Sequence, residues 1–174
     1  MAQLSILEYP DPRLRILAKP VADFDDTLGG LVDNMIETLR ATGAIGLAAP
    51  QLGIPLQIIV VDVSGDRSNP EVFINPSIES RGRIAEVDEG CLSLPGLQVR
   101  VRRATRLRLR ARDRHGIEGV RDVEDLLAVC VQHEMDHLRG RLLVDHLSLF
   151  QRIRLRLRPG PGTGRLQSPL ATHN

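Results

Sequence analysis

The stretch of this chain richest in chemistry is His133-Glu134-Met135-Asp136-His137. On a helix, positions i and i+4 share a face, so an HExxH pentad brings two imidazoles close enough to hold one metal ion. The Glu between them then stands beside the ion, where a carboxylate can shuttle protons for a bound water. The pentad alone does not define an enzyme class. The third ligand does.

Two common completions are absent. In HExxHxxGxxH a Gly turns the chain and a third His follows; Gly140 fits, but residue 143 is Leu and His146 lies three residues too late. In the other, a downstream Glu supplies the ligand, yet no Glu follows Glu134 and the last Asp is Asp145. The third ligand is therefore expected upstream, and Cys91 in Glu89-Gly90-Cys91-Leu92-Ser93-Leu94-Pro95 is the best candidate. A Cys–His–His set leaves a fourth position for water, as catalytic sites do. The alternative for Cys91 is a small buried hydrophobe, although Gly90, Ser93 and Pro95 mark a turn-prone segment. Cys130, among Leu127, Val129 and Val131, reads as core or pocket wall. His115, His146 and His173 read as loop or surface residues, with His146 also a candidate to support the ligands from behind.

The pentad needs a helix. Asp122 can cap one running from about Val123 to Leu138 and ended by Gly140. Leu126, Val129, Cys130, His133 and His137 then share one stripe. An earlier helix carries Leu28, Leu31, Val32, Met35, Ile36 and Leu39, capped by Asp25, Asp26 or Thr27 and ended by Gly43, with Gly29-Gly30 weakening its first turn. Ile58–Val61 reads as a strand, as does Val72-Phe73-Ile74, ended by Asn75-Pro76. Thr105–Asp113 alternates: Leu107, Leu109 and Ala111 face one way, Arg106, Arg108, Arg110 and Arg112 the other. That is a half-buried antiparallel strand with a solvated arginine face, rather than a nucleic-acid surface. Ile153–Arg158 alternates too briefly to separate strand from helix, and Pro159-Gly160-Pro161-Gly162 breaks any regular element.

Composition bounds the rest. The chain's 174 residues suffice for one domain with a core. Aromatic residues make up only 2%, so Leu, Ile, Val and Ala must build that core. The net charge of +1 hides an asymmetry: residues 151–174 hold five Arg and no acid, which leaves 1–150 at −4. We therefore expect a catalytic domain over 1–150 and a basic, Pro/Gly-interrupted tail over 151–174. Two cysteines do not make a disulfide scaffold. The N-terminus does not read as a signal peptide, and no apolar run approaches the roughly 20 residues of a membrane span. A soluble, cytoplasmic chain is expected, with no membrane or DNA partner.

Three segments together resemble peptide deformylase: Ile45-Gly46-Leu47-Ala48-Ala49-Pro50-Gln51, Glu89-Gly90-Cys91-Leu92-Ser93, and Gln132 through Gly140. Pro10-Asp11-Pro12-Arg13-Leu14-Arg15 resembles that family's opening, and the likeness covers about residues 4–150. The resemblance implies an α+β fold, with antiparallel strands packed around a central HExxH-bearing helix. It implies a bacterial, metal-dependent hydrolase that removes the formyl group from the N-formylmethionine of new polypeptides. The cofactor implied is one Fe2+ per chain, which Zn2+ or Ni2+ can replace. One departure is Ala44, where the family usually has Gly; Ala tolerates positive φ poorly, so a different local backbone is expected.

By this resemblance, Cys91, His133 and His137 hold the metal and Glu134 is general base, then general acid. The Gln51 amide and the Leu92 N–H stabilise the oxyanion. Ile45, Leu126, Val129 and Cys130 line a pocket for the Met side chain, although Leu126 and Val129 read equally well as core. Gly46 lets the substrate backbone approach, with its neighbours pairing to it as an added strand. Gln132 and Glu89 support the ligands, with Glu89 alternatively solvated. Asp136 either orients ligands or forms a surface pair. The basic tail is a candidate contact to ribosomal RNA. Two other readings are an HExxH peptidase and a non-catalytic, metal-stabilised binding protein.

Overall fold

A computed structural model describes residues 3–148 and 151–152 of the chain. The expectations about Ile153–Arg158, Pro159–Gly162 and His173, and most of the basic tail, lie outside the described residues.

The fold is α+β, with two α-helices and seven strands among the described residues. Helix α1 spans Asp26–Thr42. Asp25 caps it by accepting from the Leu28 N–H at 3.0 Å, and Gly43 closes it with φ 68°. Both ends lie where the cap signals put them. Two glycines in the first turn cost roughly 1 kcal/mol each; burial of Leu28, Val32, Met35 and Leu39 on one face offsets that.

Strands β1 (Gly46–Ala48), β2 (Ile58–Val61), β3 (Glu71–Arg81), β6 (Arg106–Arg112) and β7 (Glu118–Glu124) form one antiparallel sheet in the order β1-β2-β3-β6-β7. β4 (Ile84–Gly90) and β5 (Gln98–Ala104) form a separate antiparallel pair. β2 is buried on both faces, and the two-residue alternation divides it. Ile58 and Val60 pack with the buried face of α1, whereas Ile59 and Val61 pack with Ala128, Val131 and Met135 of helix α2 (Asp125–Leu138). α2, which carries the HExxH pentad, thus lies against the sheet face opposite α1.

Two expected boundaries are corrected. β3 does not end at Asn75-Pro76. Asn75 takes φ 52°, and its side chain bonds both the N–H and the C=O of Val21 at 2.8 Å. The register against β6 shifts between Ile74 and Ser77, so Pro76 sits in an irregularity where its missing N–H costs no ladder bond. Asp122 does not cap the second helix. It pairs with Arg108 inside β7, and α2 starts three residues later, at Asp125, without a side-chain cap. β1, β4, β5 and β7 were not anticipated.

Candidate active site

α2 projects His133 and His137 toward the residue that follows β4, Cys91. A turn holds Cys91 there, closed by the Leu94 N–H on the Cys91 carbonyl at 3.0 Å. The ligating atoms of Cys91, His133 and His137 all lie within 4.8 Å of one another, and Cys91 Sγ is 3.2 Å from His137 Nε2. One thiol and two imidazole nitrogens at this spacing fit a borderline divalent ion such as zinc or ferrous iron.

The ring of His133 is aimed from behind. Its Nδ1 lies 2.9 Å from Glu89 Oε2, which leaves Nε2 to face Cys91 and His137. Glu89 is buried and also accepts from Arg103 Nε and Nη2, at 2.8 and 3.0 Å. The third nitrogen of the same guanidinium donates to Asp136 at 2.7 Å, and Asp136 lies 3.1 Å from His146 Nε2. Glu89 is therefore a buried support and not a solvated side chain, and Asp136 belongs to a buried network and not to a surface pair. His146 is half-buried within that network. Gln132 supports the helix itself, joining it to β5 by bonds to both the N–H and the C=O of Ala104.

The titrating groups diverge. Burial opposes charge on Glu89, but its bonds to His133 and Arg103 prevail and bring its pKa down to about 2. Burial pushes Glu134 up to about 7. Its Oε2 is buried without a hydrogen-bond partner. His137 falls to about 3, chiefly by burial, whereas bonds to Cys91 and Glu89 overcome burial at His133 and raise it to about 10. Burial, then the Glu134 charge, holds the Cys130 thiol neutral, which suits a wall rather than a ligand.

A cavity of about 710 Å3 lies over the cluster. Ile45, Gly46, Gln51, Cys91, Leu92, Leu126, Val129, Cys130, His133 and Glu134 all line it, while His137 sits beneath. Leu126 is half exposed and so is wall rather than core. The Gln51 Oε1 accepts from the Ala48 N–H at 2.8 Å, which turns the amide nitrogen toward Ser93 Oγ at 3.2 Å and Cys91 Sγ at 3.6 Å. A Cβ on Gly46 would meet Glu134 Oε1 at 2.4 Å and Cys130 Sγ at 2.6 Å, so only glycine leaves the carboxyl in place. Ala44 does not take positive φ; the left-handed residue of this turn is Gly43.

Sequence reasoning missed Arg103. The signal was the alternation of Val99, Val101 and Arg103 in β5, which points the arginine inward with two buried valines.

The model of the family described as polypeptide deformylase matches residues 3–152. The peptide deformylase of Hahella chejuensis is 52% identical over 157 residues, covering 90% of this chain and 94% of that protein. That of Pseudomonas aeruginosa is 49% identical over 157 residues, with 90% and 94% covered. Among solved structures, a peptide deformylase from Legionella pneumophila superposes with TM-score 0.85 at 44% identity, covering 89% of this chain and 92% of that one. One from Ehrlichia chaffeensis in complex with actinonin gives 0.83 at 34% identity, with 91% and 100% covered.

Proposed function

The chain belongs to the polypeptide deformylase family, and from that premise we propose how its own residues act. The reaction is the metal-dependent hydrolysis of the formyl group from the N-terminal N-formylmethionine of nascent polypeptides, with release of formate. Cys91, His133 and His137 hold the ion, which we take to be Fe2+, replaceable by Zn2+ or Ni2+. A divalent ion held there supplies the Lewis acidity that brings a water's pKa toward neutrality.

Glu134 accepts the water's proton and returns it to the leaving amine. The observation that carries this role is its buried carboxyl oxygen, unpartnered, at the wall of the cavity. The Gln51 amide exchanges its weak contact with Cys91 for the oxyanion, joined by the Leu92 N–H; one such donor is worth roughly 3–4 kcal/mol of barrier. Leu126, Val129, Cys130 and Ile45 receive the Met side chain, and Gly46 admits the peptide backbone. Glu89 and Arg103 hold His133 in orientation.

We assign the catalytic unit to residues 1–150, in the cytoplasm of a bacterium, with 151–174 as a basic tail that contacts ribosomal RNA. Among the described residues no helix is long and apolar enough to cross a membrane.

The test is formate release from a formyl-Met peptide by the iron-loaded chain, beside the unblocked peptide. Formate from the first and no cleavage of the second is expected. Cys91→Ser should lower the bound metal measured by elemental analysis; unchanged metal content would remove Cys91 from the ligand set.

A further inference from the structure

Beside α2, lined by Arg103 and Asp136 and by none of the residues that line the first cavity, lies a second cleft of about 630 Å3. Arg81 from the end of β3, Arg102 from β5, and Arg139 and Arg141 from the turn after α2 all line it. Each of the four is exposed, and among the described residues none has an ion pair or a side-chain hydrogen bond. That sets them apart from the arginines of β6, which are paired across the strands. The other charges of the cleft are largely committed. Arg103 holds Asp136, Arg15 holds Asp145, and Arg100 holds Asp88. Only Glu86, opposite Arg102 in the β4–β5 ladder, offsets one of the four. An excess of roughly three positive charges therefore surrounds one concave space.

Like charges held together without counter-charge repel, and the repulsion falls when an anion neutralises them. Guanidinium forks match the oxygens of phosphate. A space of about 630 Å3 with this excess charge can hold a compact anion. We infer that this cleft is a binding site for a compact polyphosphate-type anion carrying about two to three negative charges, gripped by Arg81, Arg102, Arg139 and Arg141. The site is separate from the metal cluster. Arg103 and Asp136, at its wall, belong to the buried chain Asp136–Arg103–Glu89.

The test uses the full metal-loaded chain and inorganic pyrophosphate, titrated calorimetrically at constant ionic strength set with KCl. One pyrophosphate per chain is expected, with affinity falling at least about tenfold in Arg81→Glu and in Arg141→Glu. Arg40→Glu, an equal charge change on an exposed residue of α1, should leave it unaltered. Formate release by each variant verifies folding. Absence of binding overturns the inference. So does an equal loss in all three variants, which would reflect net charge alone, and so does binding insensitive to all three, which would place pyrophosphate on the active-site metal. An oligoribonucleotide that binds in an Arg141-dependent way while pyrophosphate does not would make the cleft an RNA surface and would overturn it too.

Discussion

Two glutamates flank His133, and they are treated in opposite ways. Glu89 meets three donors, His133 Nδ1 and two nitrogens of Arg103, which outweigh burial and bring its pKa down to about 2. Glu134, on the next helical position, is left with a buried and unpartnered oxygen, and burial raises its pKa to about 7. Both are carboxylates in one cavity wall. One is a fixed charge beside His133; the other is poised to exchange a proton near neutral pH, as the proposed roles require. Where environments push two acids apart in this way, orientation and proton transfer are divided between them.

The largest break in that contrast is Glu134→Gln. Shape is kept and the proton acceptor is lost, so formate release should fall by about two to four orders of magnitude. Bound metal should stay. Glu89→Gln should do the converse in kind, weakening metal retention by roughly ten- to a hundredfold through a misdirected His133. Elemental analysis and turnover on a formyl-Met peptide separate the two. If both variants lost metal equally, the division of labour would be wrong.

The next effect is on stability. Arg103→Met leaves Glu89 and Asp136 buried without their cation. Breaking a buried pair in this way costs about 3–5 kcal/mol, read from the urea midpoint of the metal-stripped chain. A change under 1 kcal/mol would mean that water or His146 replaces the guanidinium.

Glu134 predicts a smaller effect, of opposite sign. A carboxyl whose pKa is raised from 4.5 to about 7 penalises the folded chain as pH rises between those values. Below pH 4.5 both states hold the proton and there is no penalty; above 7 it is complete, at most about 3 kcal/mol. The metal-stripped Glu134→Gln variant should therefore unfold at higher urea than the parent at pH 8 and at the same urea at pH 4. The residue that abolishes turnover when replaced would then be one the fold is more stable without. An equal midpoint at pH 8 would show that Glu134 is solvated there, and that its partnerless oxygen does not poise it.

Much of this was legible in residue order. The pentad's spacing, the missing downstream ligands and the turn chemistry around Cys91 pointed to three candidate ligands, and the structure brings their donor atoms within 4.8 Å of one another. α1 was legible to within two residues at its start, where Asp25, Asp26 and Thr27 could all cap, and to the residue at its end, because caps such as Asp25 and Gly43 are local signals acting within one turn. The start of α2 was misread because Asp122 could satisfy a cap or a strand, and its cross-strand partners on β6, distant in sequence, decide for the strand. Arg103 was hidden for a related reason. A charged residue on an inward strand position violates the apolar pattern, and only Glu89 and Asp136, fourteen and thirty-three positions away, explain it.

The smallest prediction sharpens the comparison by holding residue type constant. Arg108 lies five positions beyond Arg103, on the next strand, and like it faces two acids, Glu79 and Asp122, at 3.4 and 3.7 Å. Its side chain is 54% exposed, against 7% for Arg103. In water the Coulomb gain of such a pair is small, screened by salt and offset by the entropy of holding long side chains. Arg108→Gln should leave turnover and metal content unchanged and barely move the urea midpoint, with any difference vanishing at high salt. A loss as large as that of Arg103→Met would mean that the β6 arginine face is a structural network. Burial, and not the number of acids facing an arginine, would then have been the wrong measure of what each contributes.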